Sequence, residues 1–338
     1  MNPANYKDLV VSRGYKYHYY AVPAKGDQLT IVFVHGWPNT SRAWRLIVPF
    51  FEEKGYGVIV PDVLGYGGTD RPTDYKEYQY SLLNRDIVDI LDAEGVKQAA
   101  AVGHDWGSGI VSRLANFFPE RFIGYAFINV SWKAPNPNFD IDQYLAETTA
   151  AVGYDNFGYW AFLSEKGADK LIEEHIEAFM SAFFAEDPRV MKNDFALPGV
   201  LKKSLLSDFR APLGDFMTKE EQRIFIDTFR KNGFAAPLCY YNIMATNGRN
   251  SDDAEIPESR RLPPLSSPLF FGAGLRDPIC LPAVGKAAMA QLPDHNVTIK
   301  DIDGDHWLLE YPETAEVVKH ELHAWFEGTV KPTLKARV

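Results

Sequence analysis

The chain has 338 residues, 46% of them hydrophobic and 24% charged, and carries a formal charge of −10 from 45 acidic against 35 basic side chains. With no Lys/Arg block, that balance excludes a phosphate backbone or an anionic membrane surface as the main partner, so no nucleic acid and no stable membrane anchor are expected. The two cysteines, Cys239 and Cys280, are far apart and lack metal-ligand spacing, which excludes a disulfide framework and a zinc site and points to a reducing, cytoplasmic setting.

Met1 to Tyr20 has no apolar signal-peptide core, and no stretch approaches the roughly 18 to 20 apolar residues of a membrane-spanning helix. Thr30 to Val34 is a short β-branched apolar run ending at His35-Gly36, the pattern of a buried strand entering a tight turn. Val58 to Pro61, Ala99 to Val102, Phe122 to Val130, Pro268 to Phe271 and Val297 to Ile302 repeat it. Between these runs, helical spacing covers Ser41 to Lys54, Leu82 to Glu94, Gly107 to Phe118, Ala283 to Leu292 and Thr314 to Trp325. Strands alternating with helices predict an α/β architecture, a mostly parallel sheet covered by helices.

The alternation stops at Ala134-Pro-Asn-Pro-Asn138 and resumes at the Pro-rich run Leu262 to Pro268. Between them, Ile172 to Met180 and Arg223 to Phe229 have helical spacing and strand runs are few. The expected organisation is a core in two pieces, 1–133 and 263–338, with a mainly helical cap over 134–262. The polar stretch Asn247 to Arg261 reads as a mobile loop.

The chemistry concentrates at Gly103-His-Asp-Trp-Gly107, which has the G-x-D-x-G form of a nucleophile elbow after a strand and before a helix. The glycines fit because a strained turn brings strand and helix too close for side chains. In isolation, Asp105 could equally be a helix cap. An aspartate nucleophile forms an ester that water must hydrolyse, so a base and a group orienting that base are required. His306, just past the Val297 to Ile302 run, is the candidate base, and Asp277, past Pro268 to Phe271, is the candidate orienting acid. Nucleophile, acid, histidine is the α/β-hydrolase chain order. Asp303 and Asp305 compete with Asp277 but lie very near His306 in sequence, and His104 reads as structural. Charge developing on the Asp105 carboxyl calls for backbone N–H donors, which Trp37, in His35-Gly-Trp-Pro38, and Trp106 are placed to supply. Pro38 fixes that turn, with a cis bond as one option.

Over nearly its whole length the chain resembles the soluble epoxide hydrolase family of cap-bearing α/β-hydrolases. The pieces that carry the resemblance are His35-Gly-Trp-Pro38, Asp62-Val-Leu-Gly-Tyr-Gly-Gly-Thr-Asp70, Gly103-His-Asp-Trp-Gly107, Asp277 and His306-Trp307. The resemblance implies an α/β-hydrolase fold with a helical cap, no cofactor and no metal. It implies aspartate attack on an epoxide carbon while two cap tyrosines donate to the ring oxygen. Tyr241 matches one of them through the run Asn232 to Asn242, and Tyr159 matches the other through Tyr159 to Gly167, with Lys166 where the family has proline. Tyr154 competes with Tyr159 for that role. His35, Pro38, Tyr154, Trp160, Tyr240 and Trp307 are expected around the substrate, a small apolar or aromatic epoxide that reacts with water. The alternatives are a haloalkane or haloacid dehalogenase, with Trp106 as halide donor, and a non-catalytic ligand receptor on the same fold.

Overall fold

The computed structural model describes residues 1–335, so positions 336–338 of the expected second core segment lie outside the described residues. Eight strands form one sheet: β1 (Tyr6–Val10), β2 (Lys16–Val22), β3 (Thr30–Val34), β4 (Gly57–Pro61), β5 (Ala99–His104), β6 (Phe122–Ile128), β7 (Leu269–Gly274) and β8 (Val297–Ile302), in the order β1-β2-β4-β3-β5-β6-β7-β8. β2 runs antiparallel to both neighbours, and all pairs from β4 to β8 are parallel. β1 and β2 add an antiparallel edge that the apolar runs did not signal. The cause is visible in β1, which is exposed or half-exposed throughout and carries no apolar run.

The period-2 alternation of the strands feeds two cores. In β3, Val32 and Val34 face the helices Tyr80–Ala93 and Trp106–Phe117, while Ile31 and Phe33 face Val48–Glu53 and Pro312–Trp325. Both faces are covered, as parallel strands require. The helix expected over Ser41 to Lys54 is split into a 3-10 turn, Ser41–Trp44, and the helix Val48–Glu53, because Pro49 supplies no N–H and cannot continue a preceding turn. β6 ends at Ile128, short of the expected Val130, where Asn129 turns the chain with a φ of 62°.

Between β6 and β7 the chain is helical, with Ile141–Val152, Lys219–Asn232 and Cys239–Ala245 among its elements. The expected helix over Ile172 to Met180 is two, Ala168–Glu174 and Ile176–Phe183, hinged at His175. The stretch Asn247 to Arg261, expected to be a mobile loop, instead holds a helix, Asn250–Ala254. It is pinned because Asp253 takes a two-pronged hydrogen bond from buried Arg113, at 2.6 and 2.8 Å, and Asp252 accepts from the Ser81 N–H at 3.0 Å. Further polar ties hold this helical layer to the core: Arg42 to Glu221, and Asn156 Nδ2 to the Ile279 carbonyl at 2.7 Å. Among the described residues no helix is long and apolar enough to cross a membrane.

Register aligns the C-terminal ends of five strands, pairing Val34 with Gly103, Gly103 with Phe127, Ile128 with Gly272 and Gly274 with Ile302. The residues following those ends are therefore neighbours in space. The helix that follows β5 lies so close to the end of β3 that a Cβ on Gly107 would be 2.1 Å from the Val34 carbonyl oxygen, whereas one on Gly328 would meet nothing within 4 Å. Gly107→Ala should accordingly lose stability by about 1–3 kcal/mol in urea unfolding, with Gly328→Ala neutral or slightly more stable. Equal stability of the two variants would contradict this packing.

Candidate active site

β5 delivers Asp105 into a turn that only close backbone contact can hold. The residue has φ 53° and ψ −125°, outside the regions L side chains favour, and the helix Trp106–Phe117 starts at once. The glycines on either side permit this: a Cβ on Gly103 would sit 2.5 Å from the Gly107 carbonyl oxygen, and one on Gly36 would sit 2.4 Å from the Asp105 side chain. The strain aims the carboxylate away from the sheet, toward the loop after β3.

There the Trp37 N–H donates to Asp105 Oδ1 at 2.7 Å. Trp37-Pro38 is a cis peptide. The other oxygen, Oδ2, lies 3.7 Å from His306 Nε2. Burial raises the Asp105 pKa, opposed by the His306 charge and by the N–H groups of Trp106 and Trp37.

His306 follows β8, and its Nδ1 lies 2.8 Å from Asp277 Oδ2. Burial lowers the imidazole pKa, but the Asp277 charge and its hydrogen bond win, leaving it well above its ordinary value. Asp277 is pushed the other way. Burial raises it, while the His306 charge and the N–H groups of Cys280 and Ile279, which donate to its Oδ1 at 2.9 and 2.8 Å, hold it below the usual carboxylate range. Asp305 instead accepts from the Trp307 N–H at 2.8 Å, and Asp303 pairs at 3.1 Å with Arg276. His104 Nε2 lies 3.0 Å from the His306 carbonyl, and burial beside His306 lowers its pKa to about 3, so it is a neutral brace.

Asn129 was not anticipated. Its Nδ2 donates to Asp277 Oδ2 at 2.8 Å and to the Asp305 carbonyl at 3.1 Å, so it shares with His306 the same carboxylate oxygen and steadies it. A polar residue ending the apolar run of β6 was the signal available for it. Cys280 sits beside the same pair. Asp277, Cys280 and His306 each bring one possible ligand atom within 4.8 Å of the others. Burial and the Asp277 charge push the Cys280 thiol up to about 12, so it stays protonated, and the Asp277 and His306 atoms already bind each other.

The tyrosines lie near enough to the carboxylate to feel its charge. The Tyr241 ring packs edge-on against Trp37 and Trp106, each at a centroid distance of 5.2 Å, and Tyr159 lies 5.9 Å from Tyr241. Both phenols are raised well above 10 by burial first and then by neighbouring groups including Asp105, so both keep their protons. Tyr154 points elsewhere: its hydroxyl donates to the Pro278 carbonyl at 2.5 Å. With Asn156 it braces the loop that carries Asp277.

Asp105, Trp106, Tyr159 and Trp160 open onto a cavity of about 280 Å³, walled farther out by Tyr144, Phe157, Ile243 and Leu281. Of the other residues expected around the substrate, His35, Pro38, Tyr154, Tyr240 and Trp307 do not line it. His35 is occupied by the Gly36 carbonyl and the Val63 N–H, and the Tyr240 hydroxyl donates to the Leu64 carbonyl at 3.1 Å. The Trp307 indole donates to the Phe183 carbonyl at 3.1 Å, and Pro38 faces a shallow cleft beside Arg42 and Glu221. Phe179 and Phe183 are core, packed on Trp37 at 5.5 and 5.3 Å.

Residues 30–312 match the family model of the alpha/beta hydrolase fold. Bifunctional epoxide hydrolase 2 of Sus scrofa is 25% identical over 240 residues, 71% of this chain, and the chain spans only 42% of that longer protein. Epoxide hydrolase A of Mycobacterium tuberculosis is 26% identical over 263 residues, covering 74% of this chain and 76% of the relative. The crystal structure of epoxide hydrolase A from Mycobacterium thermoresistibile superposes with a TM-score of 0.74 at 25% identity, covering 96% of this chain and 98% of that one. With its parallel sheet, its elbow between β5 and a helix, and this match along most of its length, the chain belongs to the α/β-hydrolase fold family.

Proposed function

We propose that this chain is an epoxide hydrolase that opens the ring through a covalent aspartyl ester. The observation that carries the reading is what surrounds Asp105: Oδ1 accepts from the Trp37 N–H, Oδ2 lies 3.7 Å from His306 Nε2, and the buried tyrosines Tyr241, packed on Trp37 and Trp106, and Tyr159 are near enough to feel the Asp105 charge. The relatives named epoxide hydrolases support it.

In this reading Asp105 attacks an epoxide carbon, the C–O bond breaks, and the oxygen takes a proton from a cap tyrosine. An alkoxide is a poor leaving group, so this proton is worth typically about 10²- to 10⁴-fold. Burial has moved both phenols in the direction that keeps them protonated donors at neutral pH. Tyr159 takes the role over Tyr154, whose hydroxyl is committed to a carbonyl. Water then attacks the ester carbonyl, losing its proton to His306, while the Trp37 and Trp106 N–H groups hold the oxyanion. As the oxyanion collapses, the acyl C–O bond to the product breaks, the departing oxygen takes the proton of the new acyl O–H, and the proton on His306 restores the tyrosine, leaving Asp105 a carboxylate. The attraction between Asp105 and the imidazolium supports the order of events. Esterification removes the Asp105 charge, so His306 releases a proton more readily when a base is needed. The product is a vicinal diol. The apolar walls of the cavity, Phe157, Ile243 and Leu281 among them, suit an apolar or aromatic body on the substrate.

Single-turnover reaction in ¹⁸O-water should place the label in the Asp105 carboxylate and not in the diol. Label appearing first in the diol overturns the covalent route, and halide release without diol formation points to a dehalogenase. Asp105→Ala should show no turnover of styrene oxide, and Tyr159→Phe and Tyr241→Phe should each lose about 10²-fold or more in alkylation rate.

The ester-hydrolysis rate should fall in acid as His306 becomes protonated. Because Asp277 raises the His306 pKa and burial lowers it, Asp277→Asn should move that acid limb to lower pH while slowing the step. A limb that stays put or moves up removes His306 from the role of base.

A further inference from the structure

The far wall of the cavity carries charge that the proposed reaction does not use. Arg113, Lys133 and Arg249 line it, with Asp253 as their only carboxylate neighbour on that wall. Arg113 and Asp253 neutralise each other through a two-pronged hydrogen bond at 2.6 and 2.8 Å. Lys133 and Arg249 have no ion pair among the described residues, in a chain of net charge −10.

Arg249 is only 5% exposed. Its guanidinium stacks 3.6 Å from the Tyr80 ring centroid and lies 5.2 Å from that of Trp106. Stacking satisfies the faces of the group and leaves its in-plane donors untouched. Of those, Nη1 meets the Met244 sulfur at 3.4 Å, and Nε and Nη2 have no acceptor among the described residues. A thioether is a weak acceptor, and a buried cation with unmade hydrogen bonds is costly. The Asp252 carboxylate acts on the guanidinium through its charge alone and accepts its hydrogen bond from the Ser81 N–H at 3.0 Å.

The acceptor this guanidinium suits is readable from the same protein. Nε and Nη2 are the edge by which Arg113 holds the Asp253 carboxylate and Arg42 holds that of Glu221. Met244, which also lines the cavity, meets Arg249 at Nη1 with an unbranched, adaptable side chain. From there to the nucleophile is a short path, because Trp106 both touches Arg249 and follows Asp105 directly.

We propose that Arg249 recognises a carboxylate on the substrate, so that the preferred substrates are epoxy acids whose oxirane reaches Asp105 while the carboxylate lies across the Trp106 indole. This rests on the epoxide hydrolase reading. It adds to an apolar body an acidic head at a fixed reach, and makes Arg249 a specificity-determining residue.

The test compares 4-(oxiran-2-yl)benzoate with its neutral isostere 4-(oxiran-2-yl)benzamide. A hydrogen-bonded charge pair predicts a kcat/KM ratio of about 10- to 100-fold in favour of the acid in the unaltered protein. The ratio should fall to about 1 in Arg249→Met and lie between in Arg249→Lys. A ratio of 1 or below in the unaltered protein overturns the proposal, as does a preference that survives Arg249→Met. Should that variant fail to fold, calorimetry on the unaltered protein decides: 4-ethylbenzoate must bind at least about tenfold more tightly than 4-ethylbenzamide. That measurement involves no epoxide. Tight benzoate binding with neither epoxide hydrolysed would therefore sink the catalytic reading and keep the carboxylate site. Hydrolysis of both at equal efficiency, with no benzoate preference, would do the reverse.

Discussion

The backbone strain at Asp105 is the constraint on which the rest of the site depends. A non-glycine residue at φ 53° and ψ −125° costs of the order of 1–3 kcal/mol and persists only where its surroundings leave no alternative. Here those surroundings are β3 and β5 in parallel register and a helix that begins one residue later. The glycines at 36, 103 and 107 let three backbone segments meet where side chains would collide. What the strain provides is direction. A relaxed strand-to-helix turn would leave the aspartate capping its own helix, whereas no such capping bond forms here and the carboxylate is presented to the Trp37 N–H and to His306.

The histidine and its acid sit on separate loops, after β8 and β7, and must be held to the same precision without a strained turn. Hydrogen bonds do this in layers. Asp277 is fixed by His306, by Asn129 and by two N–H groups of its own loop. That loop is fixed in turn by Tyr154 and Asn156, whose side chains reach the carbonyls of Pro278 and Ile279. The helical layer is thus more than a cover over the cavity. It bears directly on the loop that carries Asp277, so a shift of the Tyr154 to Asn156 segment would be felt at the His306 ring.

Legibility followed the locality of the physics. Parallel strands buried on both faces announce themselves as apolar runs, and their order together with Gly103, Gly107 and the residues at strand ends placed Asp105, Asp277 and His306 within one site. β1 escaped because an edge strand half in water has no such run, and β2 because its buried positions are mainly tyrosines, interrupted by Lys16 and His18. Aromatic and proline residues flanking the motifs were the weakest guide. His35, Pro38, Tyr240 and Trp307 neighbour candidate site positions in sequence, yet each is turned into the core or toward another partner. Proximity along the chain says little about which side of a backbone a ring takes.

Arg249 shows the limit from the other direction. In sequence it belongs to a polar stretch, Asn247 to Arg261, whose composition reads as a solvated loop, and in such a setting a guanidinium has water for a partner. Folding removes that water. Asp253 docks on Arg113, the helix Asn250–Ala254 forms behind it, and the neighbouring guanidinium is carried under the surface against Tyr80. The charge is ordinary for its local sequence and exceptional for its environment, and only long-range contacts create the difference. The same reasoning separates the strand-end cluster from the cavity wall. Asp105, Asp277 and His306 stand at strand ends that the sequence pattern exposes. The charge on the wall is set by residues brought together by tertiary packing, where no local motif marks them.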